Sequence, residues 1–143
     1  MCKAKAYLLN IKMLDVNINS KLNDLHALRT MVTNITSTIS PVCVSGSGNQ
    51  DKLGNAVAKI VDLQNEINRK VDKYVDLKRE AIEILEQIQD SDQMKVLHKR
   101  YFEYKPWEMI ACEMGYSYRN VLYIHGDALQ AVDAILKERR QVQ

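Results

Sequence analysis

WEMIACEMGYSYRNVLYIHGDAL, residues 107–129, has the spacing of two helices joined by a tight turn. Trp107, Ile110, Ala111 and Met114 recur at three- and four-residue intervals, so a helix over Trp107–Met114 puts them on one face. Ala111 is expected where this helix crosses the next, because a small side chain permits close approach. Gly115 can take positive φ at the helix C-terminus without a Cβ clash. Tyr116 is expected to plug the turn, and the Ser117 hydroxyl can cap a second helix. Val121, Ile124, Ala128 and Leu129 continue the buried stripe, which leaves Tyr118, Arg119, Asn120 and Tyr123 facing outward. This is the spacing of a helix-turn-helix that presents its second helix to DNA. An ordinary helical hairpin shares the apolar periodicity. The small residue, the glycine and the β-branched anchor at mutually consistent positions favour the helix-turn-helix.

The outward residues suit groove chemistry. Arginine pairs bidentately with guanine and asparagine with adenine, and tyrosine contacts a phosphate or a thymine methyl. The expected DNA-binding set is Ser117, Tyr118, Arg119, Asn120, Tyr123 and His125. His125 follows the buried Ile124 and either orients the recognition helix or reaches a phosphate.

Upstream, two long apolar seams point to an all-α fold. Tyr7, Ile11, Leu14, Ile18, Leu25, Leu28, Val32 and Ile35 form a heptad seam over about Lys3–Thr36, broken at Lys21. A second seam runs through Leu53, Val57, Ile60, Ile67, Val71, Tyr74, Ala81, Leu85 and Ile88, with Gln64 and Lys78 at the remaining positions. Neither helix can hide its stripe alone, so an antiparallel coiled-coil-like hairpin over residues 1–90 is expected. The polar seam positions either fix register or lie at a wet edge. Residues 37–50, STISPVCVSGSGNQ, form the expected flexible hairpin loop, and the β-branched run Thr33–Ile39 should fray the first helix. GSGNQDK lacks the Gly-Lys-Ser/Thr ending of a phosphate loop. Ser91 or a flanking Asp can cap a helix ending at Tyr101, whose Val96, Leu97, Tyr101 and Phe102 are expected beneath the helix-turn-helix. Residues 91–143 are then a small C-terminal domain, expected to fold without the hairpin.

Charge and composition narrow the function. The formal net charge is +2, and Asp92–Gln143 carries eight Lys and Arg against seven Asp and Glu. Phosphate neutralisation supplies most non-specific affinity, so free-standing DNA binding should be weak and a dimer partner or RNA polymerase should assist. Cys2, Cys43 and Cys112 are isolated and the three histidines are scattered. No metal, cofactor, disulfide framework or catalytic constellation is expected. Neither a signal peptide nor a transmembrane run is visible, and a cytoplasmic, nucleoid-associated protein is expected.

Lys95–Leu129, KVLHKRYFEYKPWEMIACEMGYSYRNVLYIHGDAL, resembles the promoter-reading region 4 of sigma-70-type RNA polymerase sigma factors. It is more similar still to a family of small phage and prophage proteins of Gram-positive bacteria with a sigma-like C-terminal domain, whose function is unknown. The resemblance rests on RYFE (Arg100–Glu103), W-E-x-I-A (Trp107–Ala111), MGYS (Met114–Ser117) and IHG-x-AL (Ile124–Leu129), and on AVAKIVDLQNEINRKVDKYVDLKRE (Ala56–Glu80) in the N-terminal half. Pro106 stands where the family commonly has a Ser or Thr cap. Gly126, inside the proposed recognition helix, should cost about 1 kcal/mol relative to Ala unless it permits close packing or a bend.

The resemblance implies a phage-type transcription regulator that reads a promoter element in double-stranded DNA and contacts host RNA polymerase as a sigma-like activator. A homodimer through the hairpin is the other expected association. The alternative is a DNA-recognising packaging adaptor such as a small terminase subunit.

Overall fold

Between Lys3 and Thr38 the chain has neither Gly nor Pro, and it forms one continuous helix, α1 (Lys3–Thr38). In the computed structural model, which describes residues 3–38 and 47–142, this helix is followed by α2 (Ser47–Glu86), α3 (Ser91–Tyr101), α4 (Trp107–Met114) and α5 (Tyr118–Val142). The fold is all-α. The long helices α1 and α2 pack as an antiparallel hairpin, and three shorter helices pack together after it.

The end of α1 departs from expectation. Residues 33–38 of its β-branched run are helical, with side-chain hydroxyls bonded back to the preceding turn. Thr33 Oγ1 donates to Arg29 O, Thr36 Oγ1 to Thr33 O and Ser37 Oγ to Asn34 O, each at 2.9 Å. Helix also covers residues 47–50, so the expected loop over 37–50 is shorter than its composition suggested. The rest of that flexible-loop expectation, residues 39–46, lies outside the described residues.

The α1 seam follows the expected heptads: Ile11, Ile18 and Leu25 are buried, and Tyr7, Leu14, Leu28, Val32 and Ile35 are half-buried. Lys21 fills the gap in that seam and reaches across to Glu66 at 3.2 Å, while Lys70 Nζ donates to Asn17 Oδ1 at 2.6 Å. These two contacts tie one register of the hairpin.

In α2 the seam is shifted at Val57, Gln64 and Val71, whereas Leu85 is buried as expected. Leu53, Ile60, Ile67, Tyr74, Ala81 and Ile88 lie on the inner side as expected, but Ala56, Leu63, Leu77 and Ile84 alternate with them. Val57 and Val71 are 45% and 37% exposed, and Gln64 is exposed. Half-burying Leu63 in place of Gln64 removes more apolar surface from water and leaves the amide solvated, while Leu77 and Lys78 are both half-buried.

By contact the chain divides into two compact units, Leu14–Tyr74 and Met1–Met13 with Val75–Gln143. The second unit has a core of Ala4 and Leu8 from α1, Ile84 and Leu85 from α2, Ile88 just beyond it, Leu97 and Tyr101 from α3, and Ala128, Leu129 and Val132 from α5. Asp133 Oδ1 accepts the Ala4 N–H at 2.7 Å, so α5 satisfies one of the orphan donors that open α1. The C-terminal helices therefore share their core with both ends of the hairpin.

Candidate nucleic-acid interface

The entry into the C-terminal helices is capped by an aspartate. Asp90 Oδ1 accepts the N–H groups of Asp92 and Gln93 at 2.9 and 3.2 Å, which starts α3 at Ser91. α3 supports α4 and α5, and the two later helices touch one another. A second core of Val96, Ile110, Ala111 and Val121, flanked by Trp107, Met114 and Ile124, fills the angle between them. Ala111, 7% exposed, sits between α4 and α5 as its size predicts.

Pro106 occupies the N-cap position of α4 and supplies no side-chain bond; its carbonyl accepts from Met109 N and Ile110 N. At the other end Gly115 has φ 71°, and Tyr116 N donates back to Ala111 O at 3.1 Å. Tyr116 does not plug the turn. It stands 38% exposed, and its hydroxyl donates to Asp92 Oδ2, which pushes the phenol pKa upward. The carboxylate at the start of α3 outcompetes the already filled core for this polar-tipped ring.

An ionic web braces the linker before α4. Glu113 bonds Lys99 at 2.7 Å and Lys105 at 2.8 Å, and Glu103 bonds His98 at 3.1 Å and Lys105 at 3.2 Å. Hydrogen bonds from Lys105 and Lys99 hold the Glu113 carboxyl below its ordinary range, and those from His98 and Lys105 do the same for Glu103. These pairs are solvent-exposed, and orientation of the linker is their main effect.

Ser117 Oγ accepts the Asn120 N–H at 3.1 Å and opens α5. Tyr118, Arg119, Asn120 and Tyr123 are all exposed on its first two turns, with Tyr123 60% accessible. The Arg119 guanidinium lies 5.7 Å from the Tyr123 ring, and its Nη2 donates to the Tyr123 hydroxyl at 3.4 Å. Five of the six expected site residues thus share one end of α5.

His125 lies apart from them. It is half-buried, its Nε2 is 2.8 Å from the Tyr101 hydroxyl, and its ring meets Trp107 edge-on at 4.7 Å. Burial, followed by the charges of Lys5 and Arg100, pushes its pKa down to about 4, so the imidazole is neutral at pH 7. Of its two expected roles, the contacts match the one that orients α5. Arg100 also packs on Trp107, its guanidinium 4.3 Å from the ring and its Nη1 donating to Lys105 O at 3.1 Å.

Lys5 and Lys12 of α1 were not part of the expected site, and no local pattern near them signals a relation to residues a hundred positions away. Gly126 makes no close approach: a Cβ there would meet nothing within 4 Å. Among the described residues no helix is long and apolar enough to cross a membrane. No protein-family model, curated protein or solved structure matches the chain.

Proposed function

We propose that the chain is a DNA-binding transcription regulator of sigma-like, phage type, with α5 as its recognition helix in the major groove. The observation that carries this reading is the exposed cluster Arg119, Asn120, Tyr118 and Tyr123 at the start of a helix whose first turn has no acidic residue. Arg119 and Asn120 read base edges, Tyr118 and Tyr123 contact phosphate or thymine methyl groups, and the Ser117-capped helix end approaches a phosphate. His125 sets the azimuth of α5 through Tyr101 and Trp107. The protein works in the cytoplasm on the nucleoid, and RNA polymerase is the partner that the sigma-like resemblance implies.

A second copy of the chain is the partner that the hairpin itself favours. Val57, Val61, Gln64, Asn68, Val71 and Val75 alternate by four and three residues along the solvent side of α2. The stripe is uncharged and reads almost the same from either end. Antiparallel packing against its own copy about a two-fold axis near residue 66 sets Val57 beside Val75 and Val61 beside Val71, with Gln64 against Asn68. Asp51 of one copy then falls near Arg79 of the other. A two-fold pairing closes at two copies, which disfavours the ring expected of a packaging adaptor.

Selection of duplexes from a random pool with the full-length protein tests the function. Recovery of a consensus whose binding depends on Arg119 and Asn120 is the expected result. A pool that shows no enrichment, with or without added bacterial RNA polymerase, would overturn the reading.

A further inference from the structure

Three cations and no carboxylate meet around His125. Lys5 and Lys12 from α1, Arg100 and Tyr101 from α3, Trp107 from α4 and His125 from α5 line a cavity of about 130 Å³. Glu113 is paired with Lys99 and Lys105, and Glu103 with His98 and Lys105. Among the described residues Lys5, Lys12 and Arg100 make no ion pair. Lys12 has only the Tyr104 ring, 5.4 Å from its ammonium, and Tyr104 is held at a positive φ of 57°. Among the described residues Arg100 spends one N–H on Lys105 O, and its guanidinium lies over the Trp107 ring, 4.3 Å from its centroid.

Like charges that converge without a counter-ion raise the local potential and favour an anion between them. Ammonium and guanidinium donors around a small concavity fit a tetrahedral oxyanion, and the arginine fork is suited to bidentate contact with it. The volume admits one phosphoryl group and excludes the nucleoside attached to it. The neutral His125, bonded to Tyr101, adds a polar wall without adding charge.

We propose that this cavity is a phosphate-binding site that takes one phosphomonoester or phosphodiester group between Lys5, Lys12 and Arg100. It rests on the DNA-binding reading only for the source of the phosphate, which in that reading is the duplex backbone flanking the bases read by α5. Lys5 and Lys12 thereby bring the first helix of the chain into contact with the nucleic acid.

Trp107 is the chain's one tryptophan, so its fluorescence reports on the site alone. The full-length protein is titrated with inorganic phosphate against chloride at matched ionic strength. A saturable change is expected in the parent, weakened at least about tenfold in Lys5→Gln/Lys12→Gln and retained in Lys5→Arg/Lys12→Arg, with helicity unchanged. No saturable change, or an identical one in the Gln variant, overturns the proposal. Titration with duplex DNA over a range of salt then identifies the source. A salt slope reduced by about 1 to 2 in the Gln variant assigns the site to a backbone phosphate. An unchanged slope beside an intact phosphate response assigns it to a smaller phosphorylated ligand. A parent that binds no duplex defeats the DNA-binding reading while the phosphate titration still decides this one.

Discussion

The Tyr101 hydroxyl stands 2.8 Å from His125 Nε2, a bond that joins α3 to the second turn of α5. Behind it Trp107 packs on the same imidazole, and Arg100 packs on Trp107. The chain Arg100, Trp107, His125 and Tyr101 thus couples all three C-terminal helices.

Burial of His125 beside Lys5 and Arg100 makes stability depend on pH. The His125 pKa is lowered from 6.5 to about 4, so between those values the unfolded chain takes up a proton that the folded chain refuses. The contribution is fully present above pH 6.5 and is lost as pH falls toward 4. The loss is at most about 3 kcal/mol, reduced by whatever solvent reaches the half-buried ring. Melting curves of the parent and of His125→Gln across this range should converge as pH falls. Parallel profiles would remove His125 as the titrating group.

Arg119→Ala should weaken binding to a selected duplex by about 1 to 3 kcal/mol while helicity is unchanged. Among the described residues Arg119 is exposed and bonds to the likewise exposed Tyr123, so its loss takes nothing from the core. Equal affinity at fixed salt would place the base-reading surface elsewhere.

Gly126→Ala should stabilise the protein by about 1 kcal/mol, because the position is helical, exposed and empty around the missing Cβ. A thermal melt checks this. Destabilisation would mean that the glycine serves a contact made only in the bound or assembled protein.

A fragment of residues 91–143 should melt non-cooperatively. It lacks Ala4, Leu8, Ile84, Leu85 and Ile88, which are half of the buried core around Leu97 and Leu129, and it loses the donor that Asp133 accepts. Leu8→Ala in the full chain should cost about 2 to 5 kcal/mol for the same reason. A cooperative melt of the fragment would show that α3, α4 and α5 suffice by themselves.

Val61→Glu with Val71→Glu should convert a dimer to a monomer without loss of helicity, since both side chains are exposed within the chain and would bring like charges together at the two-fold interface. Sedimentation equilibrium reads the outcome. An unchanged mass would exclude this stripe as the self-association surface.

Local rules carry far in this chain. The glycine-free run before Thr38, the stripe Ile110 and Ala111, the left-handed Gly115 and the Ser117 cap each depend on residues within a few positions of one another, so sequence alone determined the helices and the tight turn between α4 and α5. Tertiary structure decided the rest. The two possible α2 seams share Leu53, Ile60, Ile67, Tyr74 and Ala81, and the tertiary structure half-buries Leu63 rather than Gln64 and leaves Val57 and Val71 exposed. Tyr116 leaves the turn because Asp92 is within reach of its hydroxyl. His125 turns inward because Tyr101 and Trp107 wait there, and Lys5 joins it from the other end of the chain. A helical period fixes which residues share a face, but the partner of that face and the charges gathered beside it arise from contacts between segments remote in sequence.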